Sequence, residues 1–331
     1  MLFLGAGASK PFGIPTMREF TQAILEDSTI DQQSQRILGS TFSRLNEFGF
    51  KDPDIEAIMD VLTAKQDLSK AKLSIGPRVI EFDERNVTPE PNDAARRTLT
   101  KIEELIESRC AKANFKLSDE YYQKFFENVP AGRMGTSRGW LPMGYQHVFT
   151  TNYDLCIDRY LRRHPCENGF LDSGYGRVFV GIWSNDNVWT LCKLHGSIDW
   201  YEVEGRVTQL TVVPSESLYA ERIEGRRMVY PASEKYALRS PYAECLFYLR
   251  QRLRTEQFCL VVGYSFRDAP INNAFIDALK FNDRLRIFLL APRAEVQAKE
   301  IGEPLSSKIV PIKASFGTDE AIAAIRQSGI G

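Results

Sequence analysis

Short apolar runs and stripes of helical period alternate along most of this chain. Leu2–Leu4, His147–Thr150, Phe179–Ile182, Trp189–Leu194, Gln209–Val213, Phe258–Val262 and Arg286–Leu290 are brief, apolar and rich in β-branched or aromatic residues. Runs of this kind predict strands buried on both faces. Helical patterns fall between them at Leu155–Arg163, Pro241–Leu253, Ala269–Leu279, Glu295–Ile301 and Asp319–Gln327. Strand and helix in alternation predict an α/β fold built on a doubly wound parallel sheet.

One long stretch breaks the alternation. Phe42, Leu45 and Phe48, then Ile55, Ile58, Met59 and Leu62, recur at helical spacing. Ala94–Ala113 is amphipathic, with Leu99, Ile102, Leu105 and Ile106 on or near one face, and Ser118–Asn128 carries Tyr121, Tyr122, Phe125 and Phe126. Ser74–Asp93, rich in proline and charge, reads as a connector. The expected organisation is one domain over 1–331. A Rossmann-like nucleotide-binding core takes 1–26 and 139–331, and a large helical insertion takes 27–138.

Composition narrows the function classes. The chain has 331 residues, 43% hydrophobic and 26% charged, which suits a globular protein with a sizeable core. A net charge of −1 gives no general pull toward nucleic acid or an anionic membrane. No apolar run is long enough to span a bilayer and no secretory signal precedes Leu2, so a cytoplasmic location is expected. None of the six cysteines sits in a C-x-x-C pair, so no metal site is expected.

Candidate chemistry gathers at strand ends. Leu2–Leu4 is followed by Gly5-Ala6-Gly7-Ala8-Ser9. Glycines there permit either a tight turn that brings backbone N–H groups near a phosphate, with Ser9 adding a hydroxyl, or a purely structural turn with no ligand. Thr16 and Glu19 form a capping-box pattern ahead of a helix. Thr150-Thr151-Asn152-Tyr153-Asp154 follows a second strand, where polar side chains either face a ligand over the sheet edge or cap a helix. Lys193-Leu194-His195-Gly196 ends a third. His195, one of three histidines, is there either a proton acceptor or a hydrogen-bonded structural residue. His147 and His164 suit the structural role better. Gly263-Tyr264-Ser265 ends a fourth strand and offers a backbone N–H and a hydroxyl, or simply a strand-to-helix turn.

Taken together and in this order, these stretches resemble the sirtuin-like NAD-binding family. Gly5-Ala6-Gly7-Ala8-Ser9, Gly13-Ile14-Pro15 and Arg18 look like its first loop, and Thr150–Asp154 like its T-x-N-x-D segment. His195-Gly196 looks like its histidine, and Gly263-Tyr264-Ser265 like its late ribose-binding loop. The departures point to a branch. No cysteine lies in Ser197–Leu218, where the protein-deacylating members carry a zinc module. Thr16 and Met17 replace that group's Asp-Phe, and no peptide-clamping strand has a counterpart.

The pattern is similar to bacterial sirtuin-like NAD-hydrolysing effectors of antiphage defence. The resemblance implies NAD+ as substrate, cleaved at the nicotinamide–ribose bond. It implies Asn152, Asp154 and His195 as catalytic residues, and Gly5, Ala6, Gly7, Ser9, Arg18, Thr151, Gly196, Gly263 and Ser265 as NAD contacts. It implies a homo-oligomer or a defence partner such as an ATPase or a nucleic-acid-guided sensor. An NAD-dependent deacylase or ADP-ribosyltransferase, and a non-catalytic NAD or ADP-ribose sensor, are the alternatives.

Overall fold

Strand Leu2–Leu4 is fully buried and lies at the middle of a seven-stranded sheet. In this computed structural model the described residues are 1–50, 53–66, 72–75, 78–81, 90–129, 133–136, 139–142, 146–173, 176–183, 188–210, 223–228, 240–300 and 305–330. The sheet runs in the order Ile309–Ile312, Arg286–Leu290, Phe258–Val262, Leu2–Leu4, His147–Thr150, Trp189–Lys193, Cys166–Glu167. Every pairing in it is parallel. Both faces are covered: Phe3, Val261, Ile287 and Leu289 are as buried as Leu2, Leu4, Leu260 and Val262. This is the doubly wound parallel sheet that the apolar runs predict.

The contacts divide the chain into two units, one of Met1–Ile14, Ala113–Val229 and Arg239–Gly331, the other chiefly of Pro15–Lys112. The second holds helices α1 (Met17–Leu25), α2 (Gln32–Glu47), α3 (Ile55–Gln66) and α4 (Glu90–Ala111). The capping box of α1 forms as expected: Glu19 accepts from the Thr16 N–H at 2.9 Å and from its hydroxyl at 2.8 Å. At the start of the stretch read as a connector, Lys72–Ile75 pairs antiparallel with Arg78–Glu81, and α4 already begins at Glu90.

The first unit holds α5 (Phe115–Asn128), α6 (Cys156–Leu161), α7 (Tyr242–Thr255), α8 (Ala269–Phe281), α9 (Ala294–Glu300) and α10 (Asp319–Gln327). Leu249 and Leu253 of α7 and Phe275 and Leu279 of α8 pack with Phe3, Phe149 and Val261 of the sheet. Helix α5, expected with the insertion, packs inside this unit. Its Phe126 meets Trp189 of the sheet edge-on at 4.8 Å, and its Phe125 meets Phe316 at 5.5 Å. Phe12, just past the first loop, joins the same cluster through Tyr122 at 5.7 Å. The aromatic stripe of α5 is therefore core, and it holds down the segment that follows Ser9.

A second, five-stranded sheet is antiparallel, in the order Ile223–Met228, Gly196–Val203, Arg206–Gln209, Arg177–Phe179, Phe170–Asp172. Of two segments expected in the parallel sheet, Phe179–Ile182 and Gln209–Val213, only Phe179 and Gln209 lie in strands among the described residues, at the ends of Arg177–Phe179 and Arg206–Gln209 in this second sheet. Residues 211–213, at the end of the second expectation, lie outside the described residues, as do 137 and 138 at the expected end of the insertion. The correction has a physical reason. Glu204 and Gly205 both adopt positive φ, 51° and 71°, which makes the tight hairpin turn that joins antiparallel neighbours.

Candidate active site

Four strand ends meet at the carboxyl edge of the parallel sheet. The first strand, Leu2–Leu4, has Phe258–Val262 on one side and His147–Thr150 on the other. The chain passes to one side after the first strand and returns to the other much later. Such a reversal of strand order opens a crevice beyond the carboxyl ends. The loops that begin at Gly5, Thr151, Leu194 and Gly263 all start there.

The first and last of these loops touch backbone to backbone. A Cβ on Gly7 would lie 2.8 Å from Gly263 Cα, and one on Gly5 would lie 2.6 Å from Tyr264 Cα. Gly263 has φ of +60°, and its own Cβ would fall 2.5 Å from Gly7 Cα. Only glycine fits this seam. The hydrogen bonds follow the same line: Gly5 N–H donates to Val262 O at 2.8 Å and Gly7 N–H to Gly263 O at 2.9 Å. Ala8 and Ser9 N–H groups donate to Gly5 O and Ala6 O. The Gly5 and Gly7 N–H groups are thus both engaged by carbonyls of the protein. Of the five loop residues, Ala6 alone has an N–H without an acceptor among the described residues.

Asn152 bridges to the first loop. Its Nδ2 donates to Gly5 O at 2.9 Å and to Ser9 Oγ at 2.8 Å. Two acceptors on one side of the amide fix its orientation, so Oδ1 is the atom it keeps for other donors. Its own N–H donates to Thr150 Oγ1 at 3.0 Å, and the Thr151 N–H donates to Leu4 O at 3.1 Å. Ser9 is buried, while Thr151 and Asn152 are half-buried.

The two oxygens of Asp154 differ. Oδ1 accepts from the Cys156 N–H at 2.9 Å at the start of α6. Oδ2 is buried with no hydrogen-bond partner among the described residues. A buried carboxylate oxygen left in this way calls for a donor. Beneath it, the buried Lys193 ammonium donates to the Asp154 carbonyl and to Asp158 Oδ2, the latter at 3.0 Å. Burial pushes the Asp158 carboxyl up from its ordinary range, and the Lys193 charge pulls it back down.

His195 sits at the turn from the parallel into the antiparallel sheet. Gly196 takes φ of +84° there and begins the long strand Gly196–Val203, so glycine suits the position. The Leu194 N–H donates to Thr150 O at 2.8 Å, and the Ile198 N–H to Tyr153 O at 3.1 Å. The segments carrying Asn152 and His195 are therefore stitched together on both sides of the histidine. Its Nε2 lies 2.8 Å from Asp268 Oδ2, both side chains being buried. Asp268 is a residue the sequence reading gave no role. Its place just ahead of Ala269-Pro270 in a helical pattern was the available signal.

The remaining expected residues are placed as follows. Ser265 is exposed and Gly263 half-buried beside Tyr264, whose ring packs on Phe3 at 4.9 Å. Arg18 is an exposed residue of α1, in the second unit. His147 is structural: its Nδ1 meets Thr190 Oγ1 at 3.0 Å and Tyr248 Oη at 3.1 Å. All six cysteines are free thiols. Among the described residues no cluster of His, Cys, Asp and Glu could hold a metal ion, and no helix is long and apolar enough to cross a membrane.

Residues 146–310 match the family model of the SIR2-like domain. No curated protein matches the chain. Two similar solved structures are "Structural Basis for the Mechanism and Regulation of Sir2 Enzymes" and a crystal structure of a Sir2 homologue–NAD complex. The first is 14% identical over 99% of this chain and 91% of that one, with a TM-score of 0.45. The second is 12% identical over 99% and 89%, with a TM-score of 0.46.

Proposed function

We propose that this chain, whose residues 146–310 match the family model of the SIR2-like domain, is an NAD+ glycohydrolase. The observation that carries this reading is the Asn152 amide, fixed on Gly5 O and Ser9 Oγ at the strand-order reversal, with His195 on the neighbouring strand end.

The reaction breaks the bond between the nicotinamide nitrogen and C1′ of its ribose. Nicotinamide departs with the bonding pair as a neutral molecule, so no general acid is required. Water adds to C1′, a proton is released, and ADP-ribose results. The protein has to orient the dinucleotide, support an oxocarbenium-like transition state and accept that proton. Asn152 Oδ1 orients a ribose hydroxyl or the water. Asp154 Oδ2 accepts from the nicotinamide carboxamide, a charge-assisted bond that satisfies its unpartnered oxygen. His195 takes the proton. The Ala6 N–H and the Ser9 hydroxyl contact the diphosphate, since the Gly5 and Gly7 N–H groups are engaged. Gly263 and Ser265 lie by the adenosine half, and Thr151 and Gly196 shape the walls. The sequence resemblance extends the reading to an NAD-depleting effector of antiphage defence, acting as a homo-oligomer or with a sensor partner.

The test is purified protein with NAD+ and no peptide, followed by chromatography of the products. Release of nicotinamide and ADP-ribose in equal amounts is expected. Tight NAD+ binding without release rejects hydrolysis, and turnover only on addition of an acylated peptide assigns the protein to the deacylases.

A further inference from the structure

Asp268 makes two bonds with two different oxygens. Oδ1 accepts from the Ile271 N–H at 2.9 Å as the N-cap of α8, and Oδ2 meets His195 Nε2 at 2.8 Å. Neither oxygen is free to rotate away without uncapping the helix. The loop that delivers Asp268 is itself held. Phe266 adopts φ of +53°, rare for a bulky residue, and the Asn272 side chain of α8 donates to its carbonyl. Asn272 Oδ1 in turn accepts from Tyr264 Oη at 3.1 Å. Asp268 thus presents a carboxylate oxygen to the imidazole from a fixed frame, buried on both sides.

We propose that Asp268 is a positioning residue that keeps the neutral His195 ring in the Nε2–H tautomer, leaving Nδ1 as the ring's proton acceptor. An ionised carboxylate only accepts, so the nitrogen facing it must carry hydrogen. A second group that orients a histidine and selects its tautomer is a general device of proton-transfer sites. The part that concerns turnover rests on the glycohydrolase reading above; the tautomer itself does not.

The geometry makes one substitution especially informative. In Asp268→Asn the cap survives, because asparagine caps as well as aspartate. Its carbonyl oxygen stays on the Ile271 N–H, and its NH2 then faces Nε2. Two donors cannot share that bond, so the ring moves its hydrogen to Nδ1 and loses its acceptor there.

The experiment is a long-range proton–nitrogen correlation spectrum of protein labelled with 15N-histidine, at a pH where the rings are neutral. With three histidines in the chain, His195→Gln identifies the signal. The wild type is expected to show Nε2–H and Asp268→Asn to show Nδ1–H. With NAD+, kcat of Asp268→Asn is expected to fall about 10²–10⁴-fold, as for loss of a proton acceptor, with KM unchanged. An unaltered tautomer in Asp268→Asn overturns the proposal, and so does an inverted tautomer with unaltered kcat. If Asp268→Asn shows the predicted inversion yet the wild type releases no nicotinamide from NAD+, the glycohydrolase reading fails and the tautomer assignment stands.

Discussion

Gly7 and Gly263 lie Cα against the other's missing Cβ, residues far apart along the chain joined by the 2.9 Å bond from Gly7 N–H to Gly263 O. Gly263→Ala is expected to lower stability by about 1–3 kcal/mol through overpacking, with about 1–2 kcal/mol more for the positive φ. Urea denaturation measures it. An alanine variant as stable as the wild type would show that the seam opens easily.

Asn152→Ala removes two hydrogen bonds from the first loop, each contributing about 0.5–1.5 kcal/mol. Turnover of NAD+ is expected to disappear together with that modest loss of stability, and His195→Ala is expected to abolish turnover in a protein that still folds. Loss of a proton acceptor alone commonly slows a reaction about 10²–10⁴-fold. Normal nicotinamide release by both purified variants would remove these residues from the mechanism.

Lys193→Met strands Asp158 without its buried cation. Breaking such a pair typically costs about 3–5 kcal/mol. Adding Asp158→Leu to Lys193→Met should recover much of the loss, because neither charge is then buried alone. Denaturation of the two single variants and the double variant gives the coupling directly; simple additivity would contradict the pairing.

Burial first, and then the Arg252 charge, hold His147 down to about 3. The unfolded ring binds its proton from about pH 6.5 downward, whereas the folded ring stays neutral until about 3. Below 6.5 the unfolded state therefore carries more protons, and stability falls as pH falls, by at most about 1.4 kcal/mol per pH unit from this group. His147→Asn should flatten the slope between pH 6.5 and 3. Measured stability with an equal slope in both proteins would exclude His147 as its source.

Much of this arrangement is legible in the residues. The runs at Phe258–Val262 and Arg286–Leu290 are strands over the expected residues, because a doubly covered strand must be apolar at every position. Glycines 5, 7 and 263 stand out by type, yet their partner is each other's backbone, and no local pattern encodes a contact across more than two hundred residues. Ile309–Ile312 escaped because Pro311 interrupts it. Proline is tolerated there since the strand is the sheet's edge, a fact that only the strand order supplies. Asp268 is visible as a helix start, but its reach to His195, 73 positions away, comes from the crossing of two chain segments.

The central position of Leu2–Leu4 also sets the order in which the crevice can be completed. During synthesis the first strand leaves the ribosome more than 250 residues before one of its two neighbours, Phe258–Val262. Until then one side of the strand is bare, the first loop has nothing to lean on, and the carboxylate that steers the imidazole does not yet exist. A growing polypeptide therefore cannot assemble this crevice before that later strand is made.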